Sequence, residues 1–363
     1  PQNNADTLIE VVGADLGNMD PAQWYGLGTT TLMYGVYETL VRYKLPGSDF
    51  EPVLAESWDK NTDATQWTFK LRQNVKFHDG TPFNAAAAKY AIERGGALKF
   101  GPSYMTSKYV ASIETPEDYT LRLLMKDPTP TYLHYLAGQW SLDKMLSPTA
   151  LKANEVKDDQ GNPDWGHAWL IKGNAVGTGP YRMTRFLDKQ FIELDWNTDW
   201  WGGARAKQPA KVILRAMPNA AASRLALQKG EVDIVTQGLA PEDFDALSKD
   251  STMTVKGFPA VNLWCAVINM TQADNPALKS AKFRQALSYA FPYDQVIGGL
   301  LRGRASRLGP IPPGFEGYDQ GLKLYPYDLA KSLLQEAGVD TRGPLRWRVV
   351  STDDFGKNVA QLY

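Results

Sequence analysis

His78, His134 and His167 are the only histidines of the chain, and none has a second ligand residue at the spacing a metal site needs. Each is read as a surface or turn residue. Asp158-Asp159-Gln160-Gly161-Asn162-Pro163-Asp164 gathers acids around a glycine, as a calcium loop does. The glycine stands at the wrong offset for an EF-hand, so a solvated turn is the better reading. The sequence holds no phosphate-cradling glycine loop, no dinucleotide fingerprint, no nucleophile elbow and no H-E-x-x-H. No catalytic residue, no metal site and no cofactor are therefore expected. Asn269-Met270-Thr271 fits the N-glycosylation pattern, which carries meaning only in a host that glycosylates. Cys265 is the only cysteine, so the chain has no internal disulfide and no cysteine-rich zinc site. Its place in the apolar run Leu263–Ile268 predicts a buried, inert thiol.

Composition narrows the remaining classes. The 363 residues suggest two or three domains. A hydrophobic content of 43% and a charged content of 22% are those of a globular protein. Lys plus Arg total 39 against 40 Asp plus Glu, a net charge of −1. That balance supplies no basic field for nucleic acid or an anionic membrane. No apolar run approaches the roughly 18 residues that span a bilayer. The chain opens at Pro1 without a charged-then-apolar leader, so an export signal is expected to have been removed or left out.

The elements that must position any site are legible from periodicity. Trp67, Phe69 and Leu71 alternate with Thr68, Lys70 and Arg72, a strand with one buried face. Val75-Lys76-Phe77 then runs into the turn dipeptide Asp79-Gly80. Asn84 follows Pro82 as the N-cap of a helix over Ala85–Arg94, with Ala88, Ala91 and Ile92 on its apolar side. Upstream, Thr7–Val12 reads as a buried strand, Leu16–Pro21 as a loop, and Thr29–Leu40 as a helix. Tyr119–Leu123 alternates like a strand, Pro128–Leu142 reads as a turn and short helix, and Lys152–Gly166 as a polar surface excursion. Gly177-Thr178-Gly179-Pro180 opens another strand, and Phe191–Leu194 continues that sheet. Strand Lys211–Arg215, helix Ala220–Gly230 ending at a glycine, and strand Glu231–Val235 give the alternation of an α/β lobe. Phe258–Asn269 is an apolar crossing strand. Helices over Phe283–Ala290 and Tyr325–Gly338 and a strand over Leu345–Val350 follow, the second helix with Leu329, Leu333 and Leu334 on one face.

Several of these segments resemble family 5 of the bacterial extracellular solute-binding proteins, which feed peptide, nickel and related ABC importers. Pro52–Phe83 is similar to that family's L-A-x-S-W … F-x-L-R-x-x-V-x-F-x-D-G-x-P segment. Tyr37-Glu38-Thr39-Leu40 is similar to its Tyr-Glu-x-Leu. Asn197 to Gly203, with Trp200-Trp201, is similar to N-x-x-Y/W-W-x-G, and Phe283–Ala290 to V-R-Q-A-L-x-x-A. Gly177–Tyr181 and Tyr325–Gly338 are two further markers. Ala86-Ala87 and Phe291–Asp294 depart from the family's acidic pair and Asp-Arg, as local capping changes. Family members usually run on for well over another hundred residues, so the chain resembles a truncated or incomplete member.

The resemblance implies an α/β fold of the type II periplasmic-binding-protein kind, two-lobed, with an α+β subdomain inserted in the first lobe. Residues 1–44 and 172–260 would form lobe I, 45–171 the insertion, and 261–363 an incomplete lobe II. It implies an extracytoplasmic receptor that captures a solute by hinged closure and passes it to a membrane permease. A peptide is the first expectation, an oligosaccharide the second and a nickel chelate the third. Trp58, Trp67 and Trp196 are read as core. Trp24, Trp140, Trp264 and Asn269 fall where the family lines its cleft. Met19 and Tyr104 fall in regions that form pocket walls in relatives, although loop packing for Met19 and a surface role for Tyr104 fit equally. Gly177, Gly179 and Asp20 are assigned to backbone geometry and capping. The carboxylate that holds a peptide's amino terminus in relatives has no counterpart here. The implied protein is a monomer without nucleic-acid partners, in the periplasm or on the outer face of the membrane, with or without a lipid anchor. Rivals from other classes are a glycan hydrolase, which would need two facing acids about 5–10 Å apart, and a scaffold or chaperone with a filled interlobe space.

Overall fold

The computed structural model describes residues 6–361 except 14–15, 17, 24–29, 45–48, 99, 102–103, 139–143, 218, 258–264, 266, 269–275, 310, 312–317, 320–327, 340–357 and 360, and omits the Tyr104 side chain. The described chain runs β1 (Thr7–Val12), α1 (Thr30–Val36), β2 (Val41–Tyr43), β3 (Phe50–Pro52), β4 (Ala55–Lys60) and β5 (Gln66–Leu71). It continues through α2 (Ala85–Leu98), α3 (Tyr104–Tyr109), β6 (Val110–Glu117), β7 (Thr120–Met125), α4 (Tyr132–Ala137), α5 (Pro148–Ala153) and α6 (His167–Leu170). Then come β8 (Tyr181–Leu187), β9 (Phe191–Trp196), β10 (Lys211–Arg215), α7 (Ala220–Gln228), β11 (Ile234–Gln237), α8 (Pro241–Leu247), α9 (Ala281–Ala290) and α10 (Asp328–Glu336). The chain divides into two compact units, Pro1–Asp243 and Phe244–Tyr363.

Two sheets organise the first unit. One has the order β11-β1-β10-β9-β8, with β1 parallel to both β10 and β11, and β9 antiparallel to β10 and β8. Both faces of this sheet are covered. Val12, Ile192, Leu194, Val212 and Leu214 pack with Leu32, Met33 and Val36 of α1, while Val11 packs with Ala226 of α7 and Val232. Strand β11 starts three residues later than the alternation predicts, because Asp233 turns its backbone N–H to Ile9 and leaves Val232 in the core.

The second sheet, β4-β5-β7-β6, is antiparallel throughout. Trp67, Phe69 and Leu71 face the same core as Ala88, Ala91 and Ile92 of α2, as the period-2 and helical patterns require. The Asn84 side chain accepts the Ala87 N–H at 3.0 Å and so caps α2, which then runs four residues past Arg94 to Leu98. Helix α1 stops at Val36 instead of Leu40, because Thr39 and Leu40 turn to pair with Val53, Leu54 and Ala55.

The two layers of this unit meet at Gly177–Pro180. The Gly179 N–H bonds Val36 O at 3.0 Å and the His78 N–H bonds Gly177 O at 2.8 Å. A methyl group on Gly177 would overlap the Val36 carbonyl, and one on Gly179 the Gly35 carbonyl.

In the second unit the Ser280 side chain caps α9, whose Phe283, Ala286 and Leu287 are buried. Lys282 on α9 pairs with Glu336 on α10, and Gly338 ends α10 at φ 72°. A π-helical stretch spans Gln295–Leu300. Cys265 is exposed, against the expectation of a buried thiol. The physical reason is that Cys265, Val267 and Ile268 lie outside any strand, and Val267 is itself 85% exposed, so this part of the run packs into no core. The rest of that run and the strand expected at Leu345–Val350 lie outside the described residues.

Gly179→Ala should destabilise the protein by roughly 3 kcal/mol, because the added carbon meets backbone that cannot rotate away. Urea unfolding followed by far-UV circular dichroism measures it. Gly80→Ala, at a turn glycine where an added carbon would meet nothing within 4 Å, is the milder control for left-handed strain alone.

Candidate functional site

In open α/β sheets, ligands bind beyond the carboxyl ends of the parallel strands. In the first unit those ends belong to β1, β10 and β11. The loop that leaves β1 turns at Gly13, where φ is 78° and the carbonyl accepts the Met217 N–H. Beside it, Glu10 is buried and accepts hydroxyls from Thr31 at 2.7 Å and Thr236 at 2.8 Å. This carboxylate ties the start of α1 and strand β11 to β1. On the next turn of α1, exposed Tyr34 carries the buried Lys144 ammonium 4.5 Å above its ring.

Further along the loop, Asp20 is wholly buried and ion-paired. Its two oxygens accept Arg94 Nη1 at 2.9 Å and Nη2 at 2.5 Å. His167 Nδ1 lies 2.7 Å from the same carboxylate, and the Ala22 N–H donates to it at 3.0 Å. Arg94 Nε donates to Trp165 O at 2.9 Å. Burial alone would raise the Asp20 pKa, but the hydrogen bonds from His167 and Arg94 and the Arg94 charge hold it at about 2. Asp20 was expected to cap, and its bond to Ala22 does so; the ion pair is the larger part of its role. His167 was expected on the surface or in a turn. It is instead mostly buried and bonded to Asp20, because α6 starts where Gly166 turns through φ 72°.

Met19, beside Asp20, is fully buried among Leu16, Leu32 and Met33, and its carbonyl accepts the Tyr37 hydroxyl at 2.9 Å. That is the loop-packing arrangement. Tyr104 opens α3. Trp24, Trp140, Trp264 and Asn269 lie outside the described residues. A cavity of about 10 Å³ lies between Pro21, Ala22, Arg94 and Lys144, room for about one water.

At the seam of the layers, His78 was also expected to be a bland turn residue. Its Nε2 is 2.9 Å from Gly179 O, and its Nδ1 accepts the Gly177 N–H at 3.4 Å. Burial lowers its pKa to about 4, against the opposing bond to Gly179, and the hydrogen-bond pattern is that of the neutral ring. Nearby, buried Glu38 accepts the indole N–H of Trp201 at 2.8 Å and of Trp200 at 3.2 Å. Burial raises the Glu38 pKa, against those two donors. Arg94 and Glu38 were not singled out from sequence, and His78 was weighed only as a turn residue; an arginine interrupting the apolar side of α2 was the one available signal. Among the described residues, no three His, Cys, Asp or Glu side chains gather as metal ligands, and no helix is long and apolar enough to cross a membrane.

These geometries, an α/β unit with a polar loop at its strand ends and an inserted antiparallel layer, are those of a periplasmic binding protein. Residues 49–363 match the model of bacterial extracellular solute-binding proteins, family 5 middle region. The chain belongs to that family. It is similar to the probable D,D-dipeptide-binding periplasmic protein DdpA of Escherichia coli K12, 29% identical over 90% of this chain and 61% of that one. Among solved structures, it resembles the periplasmic binding protein DppA of Helicobacter pylori in complex with the peptide STSA. The TM-score is 0.75 at 29% identity, over 92% of this chain and 66% of that one. It also resembles MoaA of A. tumefaciens R10 in complex with mannopinic acid, with TM-score 0.73 and 25% identity over 92% of this chain and 65% of that one. The chain thus spans less than two thirds of the length of these relatives, 61% of DdpA and 66% of DppA. The fold expected from the sequence is the one these structures share.

Asp20→Asn would leave the Arg94 guanidinium buried without its counter-charge and should cost about 3–5 kcal/mol, read from urea midpoints at neutral pH. His78 should make stability fall on the acid side of neutrality. Well above pH 6.5 the ring is neutral in both states; as pH falls through 6.5 toward 4 the unfolded chain takes the proton first, and stability is lost across that window. From pH 7 to pH 5 the loss should be about 2 kcal/mol, and His78→Gln should abolish that part of the slope.

Proposed function

We propose that the protein is an extracytoplasmic receptor that captures a small peptide and delivers it, unaltered, to the permease of an ABC importer. The observation that carries this reading is the family match across residues 49–363. It is supported by a relative named for dipeptide binding and by one solved with the peptide STSA. Capture is by hinged lobe closure, as the family resemblance implies, and the closed form is what the permease recognises. Closure follows from the ligand's preference for the closed state.

The solute contacts the loop that follows β1 and the segments after α4 and after α8. Trp24, Trp140 and Trp264 supply flat apolar walls, Asn269 a polar group, and Tyr104 flanks the pocket, while Met19, buried beneath the loop, supports it from behind. The protein acts as an exported monomer in the periplasm or on the outer membrane face, and it does not hydrolyse its ligand. The relative solved with mannopinic acid is the reason to include a non-peptide acid in the test.

The test is thermal unfolding against a panel of di- to tetrapeptides, with mannopinic acid and an oligosaccharide as further arms. At a hundredfold excess over Kd a true ligand adds about 2.7 kcal/mol, a shift of several degrees, and mass spectrometry should recover the peptide intact. A flat melting temperature across all peptides, a shift by the other arms alone, or cleaved peptide would overturn the reading.

A further inference from the structure

Away from the strand ends, a shallow pocket of about 290 Å³, open to solvent, lies at the edge of the inserted layer, lined by Glu56, Arg72, Gln73, Asn74 and Trp201. That volume is near the lower limit of about 300 Å³ for small-molecule pockets. Two irregularities of the backbone build it. The β4–β5 register shifts between Ala55 and Ser57, so Glu56 is the extra residue of a bulge, a device that re-aims one side chain. Asn74 adopts φ 62°, which turns the chain sharply after β5 and keeps Gln73 and Asn74 at the surface.

The remaining two walls are held from behind. The Trp201 indole N–H is fixed by buried Glu38 at 2.8 Å. Arg72 lies 4.3 Å above the Trp201 ring, donates Nε to Val53 O at 3.1 Å and reaches Glu56 at 3.5 Å. The guanidinium is thereby oriented before any ligand arrives, at little further entropic cost.

The four polar side chains around this pocket end in planar groups: one carboxylate, one guanidinium and two carboxamides. The carboxylate accepts from hydroxyls, the guanidinium donates to them, and each carboxamide does both. The Trp201 indole, one face of which Arg72 covers, forms the back wall. We propose that this cavity is a binding site for a single saccharide ring, separate from the solute site of the receptor and independent of it.

Ligand-observed saturation-transfer NMR tests it with glucose and N-acetylglucosamine as probes. The expected result is millimolar binding to the unaltered protein, weakened about tenfold in the double variant Gln73→Ala/Asn74→Gly, which removes both carboxamides. Glycine suits the left-handed backbone at position 74, and both residues are exposed, so the variant should fold; circular dichroism checks this. Saturating dipeptide should leave the sugar signal unchanged. No transfer to either sugar, transfer indifferent to the double variant, competition by free alanine, or competition by the dipeptide would each overturn the proposal. The first two deny a saccharide site here, the third assigns a zwitterion pocket, and the fourth places the sugar in the solute site. The first three do not depend on whether the dipeptide itself binds.

Discussion

The buried pairing of Asp20 with Arg94 is the constraint on which the first unit depends. Removing two full charges from water costs several kcal/mol per ion, and their attraction offsets this only when both are fully hydrogen-bonded. Here the carboxylate receives Arg94 twice, His167 once and the Ala22 N–H once, while the third side of the guanidinium is taken by Trp165 O. Against a well-packed apolar substitute such a pair adds little net stability. It adds a unique geometry: the loop after β1, the middle of α2 and the start of α6 have one arrangement in which no charge is stranded.

The same logic recurs at the seam. Glu38 is buried and His78 half-buried, with opposed hydrogen-bonding demands, and each is satisfied by groups from a different segment, Trp200 and Trp201 in one case and Gly177 and Gly179 in the other. The glycines let the backbones approach closely enough for those bonds to form. In the receptor proposed above, lobes that do not themselves rearrange would leave the ligand's binding energy for closure and not for ordering loops. Polar clamps of this kind supply that rigidity where apolar packing, which tolerates repacking, would not.

The regular elements were legible because their evidence is local. Alternation at Trp67, Phe69 and Leu71 and the apolar side of α2 encode burial within a few residues, and both faces landed as read. Family markers in Pro52–Phe83 and Tyr325–Gly338 carried the fold. Short pieces without a period were not legible: the β2–β3 hairpin has three residues a strand, and β11 slid along the chain because one side chain, Asp233, was needed by Ile9. The charged clamps were invisible for a different reason. Asp20 and Arg94 stand 74 positions apart, and nothing near either residue says that the other will neutralise it. Cys265 shows the reverse error, since apolar neighbours in sequence do not guarantee apolar neighbours in space.

That exposed sulfur has a practical bearing. As the sole thiol of this chain, it has no intramolecular partner, so under oxidising conditions its route to a disulfide runs through another molecule. Covalent pairs formed in storage would then mimic self-association and vanish with reductant. The same uniqueness makes it an attachment point for one fluorophore or spin label in the second unit, without any engineered residue.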